Sequence, residues 1–335
     1  MCKKVSIVTP SYNQGEFVGQ TIQSVIDQYC PNLEYIIIDG GSLDDSVETI
    51  KKYEKELKYW ISEQDRGQSH AINKGLVNAS GDIFNWLCSD DYFEPGALNA
   101  VAHAFEDPET RLVSARFNLV NVEDPCAKRV CDSIRIDDTL EKTFARIVMS
   151  QPAVFWRLGD IKLFGGINER LHYLMDLELI LKYLLYYGTD GIKCIDDVIV
   201  SYRIHPSSKT AKKMDHTKMR PDSAFNIDKN TIFYFLAIHY GAPPKTIDAI
   251  ETLMDYVDKE YSMSPLPENP KVNVLKAIDY YLYDFARRYF YGAEKQKAWD
   301  IVWKISASNL SNSDAKGLKF LRRKLLFWKL VNIRN

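Results

Sequence analysis

A short apolar run that ends in turn formers and acids recurs four times in the first 92 residues, and this recurrence restricts the fold more than any single residue does. Val5 to Thr9, Leu33 to Ile38, Tyr59 to Ser62 and Ile83 to Leu87 read as strands. Between them Phe17, Ile22, Val25 and Ile26, then Val47 to Leu57, then Ala71, Ile72, Leu76 and Val77 repeat at helical spacing. Strands alternating with helices through short connections predict an α/β chain with a doubly wound, mostly parallel sheet. Asp39, Asp65, Asp90 and Asp91 all fall at or just past the carboxyl end of an expected strand, the edge where open sheets of this kind bind ligands.

The tip at Asp90 and Asp91 carries the most charge. Adjacent carboxylates repel, and a divalent cation is an economical way to stabilise them; the alternative is a solvated turn capping the next helix. Gly40-Gly41 does not match the Gly-x-Gly-x-x-Gly dinucleotide pattern, and no Gly-x-x-x-x-Gly-Lys phosphate loop is present. A metal must therefore offset any phosphate bound here. The formal net charge of -2 argues against general nucleic-acid binding. Cys2, Cys30, Cys88, Cys126, Cys131 and Cys194 show no zinc-type pairing, which predicts reduced thiols and a cytoplasmic protein. Met1 to Val8 shows no signal-peptide core, and no apolar stretch approaches the length of a membrane span.

Farther along, Ala97 to Phe105 and Leu140 to Val148 read as helices, and Arg111 to Asn121 and Ala153 to Trp156 as strands. Val122 to Asp138 reads as a polar, irregular segment over the sheet's rim. Asp176 opens an apolar helix through Leu185, and Ile192 to Ile195 and Val198 to Tyr202 are two short strands. From about Met214 only helical periodicity remains, over Phe225 to His239, Thr246 to Tyr261, Val274 to Tyr291 and Ala298 to Ile305, broken once by the proline-rich 264–270. This divides the chain into an α/β domain, 1–212, and a helical C-terminal region, 213–335. From Lys316 onward, seven cations interleave with leucines, phenylalanines and Trp328, and no acid follows Asp314. Such a basic helix suits either a membrane interface or docking on protein.

Five motifs stand in order: Ser6-Ile7-Val8-Thr9-Pro10-Ser11-Tyr12-Asn13; Ile38-Asp39-Gly40-Gly41-Ser42-x-Asp44; Asp65-Arg66-Gly67-Gln68 with Ala71, Asn73 and Gly75; Ser89-Asp90-Asp91; and Met175-Asp176. Together they resemble the family 2 glycosyltransferases of the GT-A fold, of the bacterial surface-polysaccharide type, over roughly residues 4 to 210. The resemblance implies an inverting, metal-assisted enzyme of polysaccharide biosynthesis. It would move a sugar from a nucleotide-diphosphate donor, UDP-linked by preference, to a hydroxyl of a glycan or lipid-linked acceptor. Thr9, Pro10 and Tyr12 would line the base pocket, and Asp39, Asp65 and Asn73 would serve the nucleotide.

Asp91 would hold Mn²⁺ or Mg²⁺, with Ser89 standing where the family carries its first acid and Asp90 facing ribose or a metal-bound water. His205 would meet the metal, with Arg203 and Lys209 as phosphate-facing cations. Asp176 would be the general base, with Met175 where many relatives carry Glu and Glu178 the competing candidate; a helix-capping role is the alternative for Asp39 and Asp176. Such an enzyme would be cytoplasmic, at the inner face of the cell membrane if the terminal helix binds lipid. A catalytically inactive nucleotide-sugar-binding or scaffolding protein on the same fold is the rival reading. A nucleotidyltransferase would carry a basic glycine-rich loop after the first strand, and Pro10 to Gly15 has none.

Overall fold

The computed structural model describes residues 3–209, 224–253, 258, 260–292 and 294–332. The N-terminal alternation appears in the order read, with the second helix ending at Lys51, short of the expected Leu57: β1 (Val5–Ser11), α1 (Gly15–Ile26), β2 (Leu33–Asp39), α2 (Ser46–Lys51), β3 (Tyr59–Ser62), α3 (Gln68–Asn78) and β4 (Ile83–Trp86). Then come β5 (Tyr92–Phe93), α4 (Ala97–Ala104), β6 (Leu112–Asn121), β7 (Asp124–Asp132), α5 (Leu140–Arg146), β8 (Val154–Arg157), α6 (Leu158–Leu163), α7 (Met175–Tyr187) and β9 (Ile192–Ile204). The helical region holds α8 (Ala224–His239), α9 (Pro244–Glu251), α10 (Val274–Tyr291), α11 (Lys295–Val302) and α12 (Asn312–Asn332). The expected boundary at 212/213 lies outside the described residues, and the helix expected over 246–261 ends at Glu251, with 252–253, 258 and 260–261 non-helical and 254–257 and 259 outside the described residues.

Among the described residues the strands form one sheet in the order β3-β2-β1-β4-β8-β6-β9-β5, with β7 beside β6. The run β3-β2-β1-β4 is parallel, and its register sets Ser11 beside Asp39 and Asp39 beside Ser62, so the acid-bearing tips share one edge. From β4 outward the sheet is mixed. β8 is antiparallel to both β4 and β6, and β5 is antiparallel to β9.

Two readings are corrected here. The segment at 122–138 is not irregular throughout, because β7 makes an antiparallel hairpin with β6. Its mixed charge suits a rim strand, and polarity on such a strand reads as loop. The two strands expected at 192–202 are one strand, β9, which runs parallel to β6 with a break in register near Arg116, opposite Asp196 and Asp197.

Both faces of the sheet are covered, as the apolar strands require. Val5, Ile7 and Ile37 face α1 and α4, through Val18, Ile22, Leu98 and Val101. Val8, Ile36 and Ile38 face α3 and α7, and this second core runs on through Phe233 of α8 and Tyr281 of α10 to Leu325 of α12. The helical region is thus continuous in packing with the α/β part, and a 2.7 Å ion pair from Arg146 to Asp284 joins α5 to α10.

Gly75 shows how closely α3 approaches β1. A Cβ there would lie 2.4 Å from Val8 Cγ1, so Gly75→Ala must displace a buried β-branched side chain. Overpacking of this kind costs about 1–3 kcal/mol, more than the gain of up to ~1 kcal/mol in helix propensity. Gly75→Ala should lower the urea midpoint, and adding Val8→Ala should cost less than the sum of the two single changes.

Candidate active site

The first two tips are tied together by the residues of their own motifs. Asn13 Oδ1 accepts the Leu43 N–H at 2.9 Å, Ser42 Oγ accepts the Asn13 N–H at 2.8 Å, and Asp44 Oδ2 accepts the Gly15 N–H at 2.8 Å. Asn13 takes a left-handed backbone, φ 51°, which Asn tolerates better than most residues. At the head of the second loop, Asp39 is fully buried. Its Oδ2 accepts from Gly41 N, Ser42 N and Ser62 Oγ, and its Oδ1 from Ser42 Oγ at 2.6 Å. Asp39 is thus first of all the organiser of its own loop, with capacity for a further donor only at Oδ1.

A Cβ at Gly40 would sit 2.8 Å from Asp65 Oδ2 and 3.3 Å from the Tyr12 ring. Glycine therefore lets both Tyr12 and Asp65 close on the backbone at this position, with Tyr12 58% exposed. Asp65 Oδ1 accepts the Gly67 N–H at 2.7 Å, which leaves Oδ2 toward Gly40. Thr9 and Pro10 are buried in β1, and the Thr9 hydroxyl lies 3.0 Å from the buried Tyr35 hydroxyl. Thr9 is fully buried with its hydroxyl engaged, so it offers no free side-chain group to a ligand.

The β4 tip is held from behind. Thr21 Oγ1 lies 2.8 and 2.6 Å from the carbonyl oxygens of Ser89 and Asp91. Arg203 donates through Nε to the Asp90 carbonyl and through Nη1 to Gln20 Oε1 at 2.7 Å, and its guanidinium lies over the rings of Phe17 and Tyr92. Arg203 therefore latches β9 to α1 and the acidic turn, and is not the phosphate-facing cation that its position after a strand suggested. His205 is buried, 4.6 Å from the Phe17 ring, with Nδ1 2.7 Å from Ser207 Oγ and Nε2 3.1 Å from Asp90 Oδ2. It meets Asp90, not Asp91.

Asp91 is 1% exposed, and Oδ1 accepts the Arg203 N–H at 2.9 Å. Its Oδ2 is buried and finds no hydrogen-bond partner among the described residues. Burial, then the charge of Asp90, pushes this carboxyl well above the usual range against the pull of Arg203. Ligand atoms of Cys88, Asp90 and Asp91 lie within 4.8 Å of one another. Burial and the two carboxylates also push the Cys88 thiol up, so it stays protonated, and its sulfur accepts from Gln68 Nε2 at 3.1 Å. A protonated thiol is a poor ligand for Mg²⁺ or Mn²⁺, whereas an orphaned carboxylate oxygen beside a second carboxylate suits a hard cation. The donor set fits such an ion.

At the start of α7, Asp176 and Glu178 have different fates. Glu178 is buried with Oε1 2.8 Å from Lys182 Nζ, and its Oε2 accepts from Asn168 Nδ2 and the Tyr261 hydroxyl, each at 2.8 Å. Lys182 also donates to the carbonyls of Phe164 and Ser264. This closed network removes Glu178 as a candidate base. Asp176 is half-buried, and its Oδ1 accepts the next residue's N–H at 2.8 Å. Burial pushes its carboxyl up to about 6, against the Leu177 N–H and the Lys209 ammonium. Asp176 is not the cap of α7, whose capping position is Leu174 with no side-chain bond of its own. Met175 is buried and accepts a hydrogen bond from Ser69 Oγ at its sulfur.

Lys209 lies with Nζ 3.4 Å from Gln68 Oε1 and 5.3 Å from the Tyr173 ring centre, within electrostatic reach of both Cys88 and Asp176. Among the described residues it is a cation that faces the site. Asn73 does not face it, because its amide holds both backbone groups of Ile167 and reaches Glu169. Asn73 lines a cavity of about 250 Å³ with Gly166, Glu169, Lys182 and Ser264, which includes none of the strand-tip acids. Sequence reading placed Gln68 in the third motif without giving its bridging amide a role, and missed Asp228 of α8, for which no local signal exists.

Residues 6–144 match the family model described as Glycosyl transferase family 2. Over 103 residues the chain is 41% identical to an uncharacterized glycosyltransferase of Mycobacterium tuberculosis, a stretch covering 30% of this chain and 38% of that protein. Among solved structures, S. aureus TarS 1-349 in complex with UDP-GlcNAc superposes with a TM-score of 0.60 at 15% identity, covering 96% of this chain and 88% of that one. The mannosyltransferase PcManGT of Pyrobaculum calidifontis, in complex with GDP-Man and Mn²⁺, gives 0.52 at 16% identity, covering 98% and 83%. The two structures share the fold, and the sequence match, falling on the half of the sheet that gathers the acids, makes residues 6–144 similar to the family 2 glycosyltransferases, on a GT-A-type framework with a helical C-terminal region.

Proposed function

We propose that the chain transfers a sugar from a nucleoside-diphosphate donor to an acceptor hydroxyl with inversion at the anomeric carbon, in polysaccharide biosynthesis. Asp176 carries the reading. Its carboxylate has one side-chain-to-backbone bond, a raised proton affinity and a neighbouring Lys209, while Glu178 beside it is consumed in structure. A pKa near 6 leaves the group ionised at neutral pH and still basic enough to take a proton as the bond forms. The acceptor oxygen bonds to the anomeric carbon, its proton passes to Asp176, and the bond from that carbon to the diphosphate breaks with its electron pair on the phosphate oxygen. A UDP-sugar is the preferred donor, as in the TarS complex. Tyr12, Asp65 and the free capacity of Asp39 Oδ1 would receive the nucleotide, and Lys209 would face the phosphates or the transferred sugar. The intact Asp176 and the orphaned Asp91 oxygen speak against an inactive scaffold.

Asp91, with Asp90, would hold a divalent cation, and His205 would orient Asp90. Such an ion, when bound, neutralises charge on the leaving diphosphate. Mn²⁺ in the PcManGT complex is in keeping with this.

The acceptor is a glycan or a lipid-linked glycan, and α12 favours the latter. Leu318, Leu321 and Leu325 dock on the protein, while Phe320, Phe327, Leu330 and Val331 are exposed among Lys316, Lys319, Arg323 and Lys324. Arg334 lies outside the described residues. An apolar, aromatic ridge flanked by cations suits the interface of an anionic membrane. Among the described residues no helix is long and apolar enough to cross a membrane, so contact would be peripheral, at the inner face of the cell membrane.

Calorimetry with UDP and Mn²⁺ should show binding that falls at least tenfold on adding chelator; equal affinity in both conditions overturns the metal assignment. Screening UDP- and GDP-sugars for nucleoside diphosphate release names the donor. With it, Asp176→Asn should cost about 10²- to 10⁴-fold in turnover and leave UDP affinity within twofold. Because a base must be ionised and this one titrates near 6, wild-type turnover should fall as pH drops through about 6. The full chain should co-sediment with anionic and not neutral liposomes, and Phe320→Ser with Phe327→Ser should abolish this; a full chain left in the supernatant sinks the membrane reading.

A further inference from the structure

Asp228 lies on the first turns of α8, outside all five motifs, yet it acts at the start of α7. Its Oδ2 accepts the backbone N–H groups of Tyr173 at 2.7 Å and Leu174 at 3.0 Å. Leu174 is the capping residue of α7 and brings no acceptor of its own. The N–H of the capping residue, which a capping-box Glu would satisfy locally, is thus met together with that of Tyr173 by a carboxylate from another helix. Asp176 follows two residues later. α8 is firmly seated, with Ile232, Phe233 and Leu236 fully buried and Asn230 Nδ2 donating to the Leu253 carbonyl.

We propose that Asp228 is the positioning residue of the base: by gripping Tyr173 and Leu174 it fixes where the Asp176 carboxylate stands. The inference rests on the reading of Asp176 as base. It gives the helical region a role in the reaction, since the grip spans the junction between the two parts of the chain. Asp228 also acts through charge. Among the described residues the charged groups facing Asp176 are Lys209, from the segment after β9, and Asp228, from α8, and they oppose each other. The negative charge of Asp228 raises the proton affinity of Asp176, and the ammonium of Lys209 lowers it.

Two variants of the full chain separate grip from charge. Asp228→Ala removes both, and should lower kcat about 10- to 100-fold with UDP affinity unchanged within twofold, since small displacements of a reacting group are costly. Asp228→Asn keeps an oxygen acceptor and removes the charge, so kcat at pH 8 should stay within about fivefold. Its acidic limb should move to lower pH, a shift that a merely structural role would not produce. Thermal melts check that each variant folds, and if Asp228→Ala does not, the limb of Asp228→Asn decides. A folded Asp228→Ala with wild-type kcat, an equal loss of UDP affinity and turnover, or an unmoved limb in Asp228→Asn overturns the inference. Failure of the underlying reading looks different: there Asp176→Asn itself retains turnover.

Discussion

Carboxylates gathered at the edge of a buried sheet repel one another and resist desolvation, so each requires a partner. The parallel register of β1 to β4 forces that gathering, because it aligns the carboxyl ends of four strands. The acids are settled in different ways. Asp39 is enclosed by backbone and hydroxyl donors of its own turn, Asp65 by the Gly67 N–H on one side, and Asp90 stands against His205. Among the described residues Asp91 is met only by the Arg203 N–H, on one oxygen. The differences are chemical assignments: a satisfied acid builds structure, and a half-satisfied one is available to a cation.

The same logic separates two acids on one helix. Asp176 and Glu178 are two residues apart, so they point roughly 200° away from each other around α7. Glu178 turns inward to Lys182, Asn168 and Tyr261, where an ion pair survives because every remaining donor and acceptor is engaged. Asp176 emerges on the other side, under the influence of Lys209 and Asp228. The helical region contributes to both surroundings, through Tyr261 to Glu178 and through Asp228 to the segment before Asp176.

Clamping accounts for the spacing of several motif residues in this chain. Asn13, Ser42 and Asp44 bond across two loops, and Gly40 and Gly75 admit a neighbour where a Cβ would collide. Arg203 and Asn73, read as ligand-facing, are spent on the frame. A residue that holds a site and one that touches a ligand carry the same side-chain chemistry, and position along the chain does not distinguish them.

The sequence by itself determined the alternating α/β order, the edge to which the acids belong and the resemblance to the family 2 glycosyltransferases, because apolar runs, turn formers and spacing are local properties written along the chain. It also marked α12 as basic and amphipathic, with both docking and exposure open; the structure realises docking through Leu318, Leu321 and Leu325 and leaves Phe320 and Phe327 outward. Only the tertiary structure decided the mixed half of the sheet, the hairpin of β6 and β7, the retirement of Glu178 and the grip of Asp228. Each depends on groups distant in sequence, 83 residues from Glu178 to Tyr261 and 55 from Asp228 to Tyr173, and no local pattern encodes which distant donor will meet a given carboxylate.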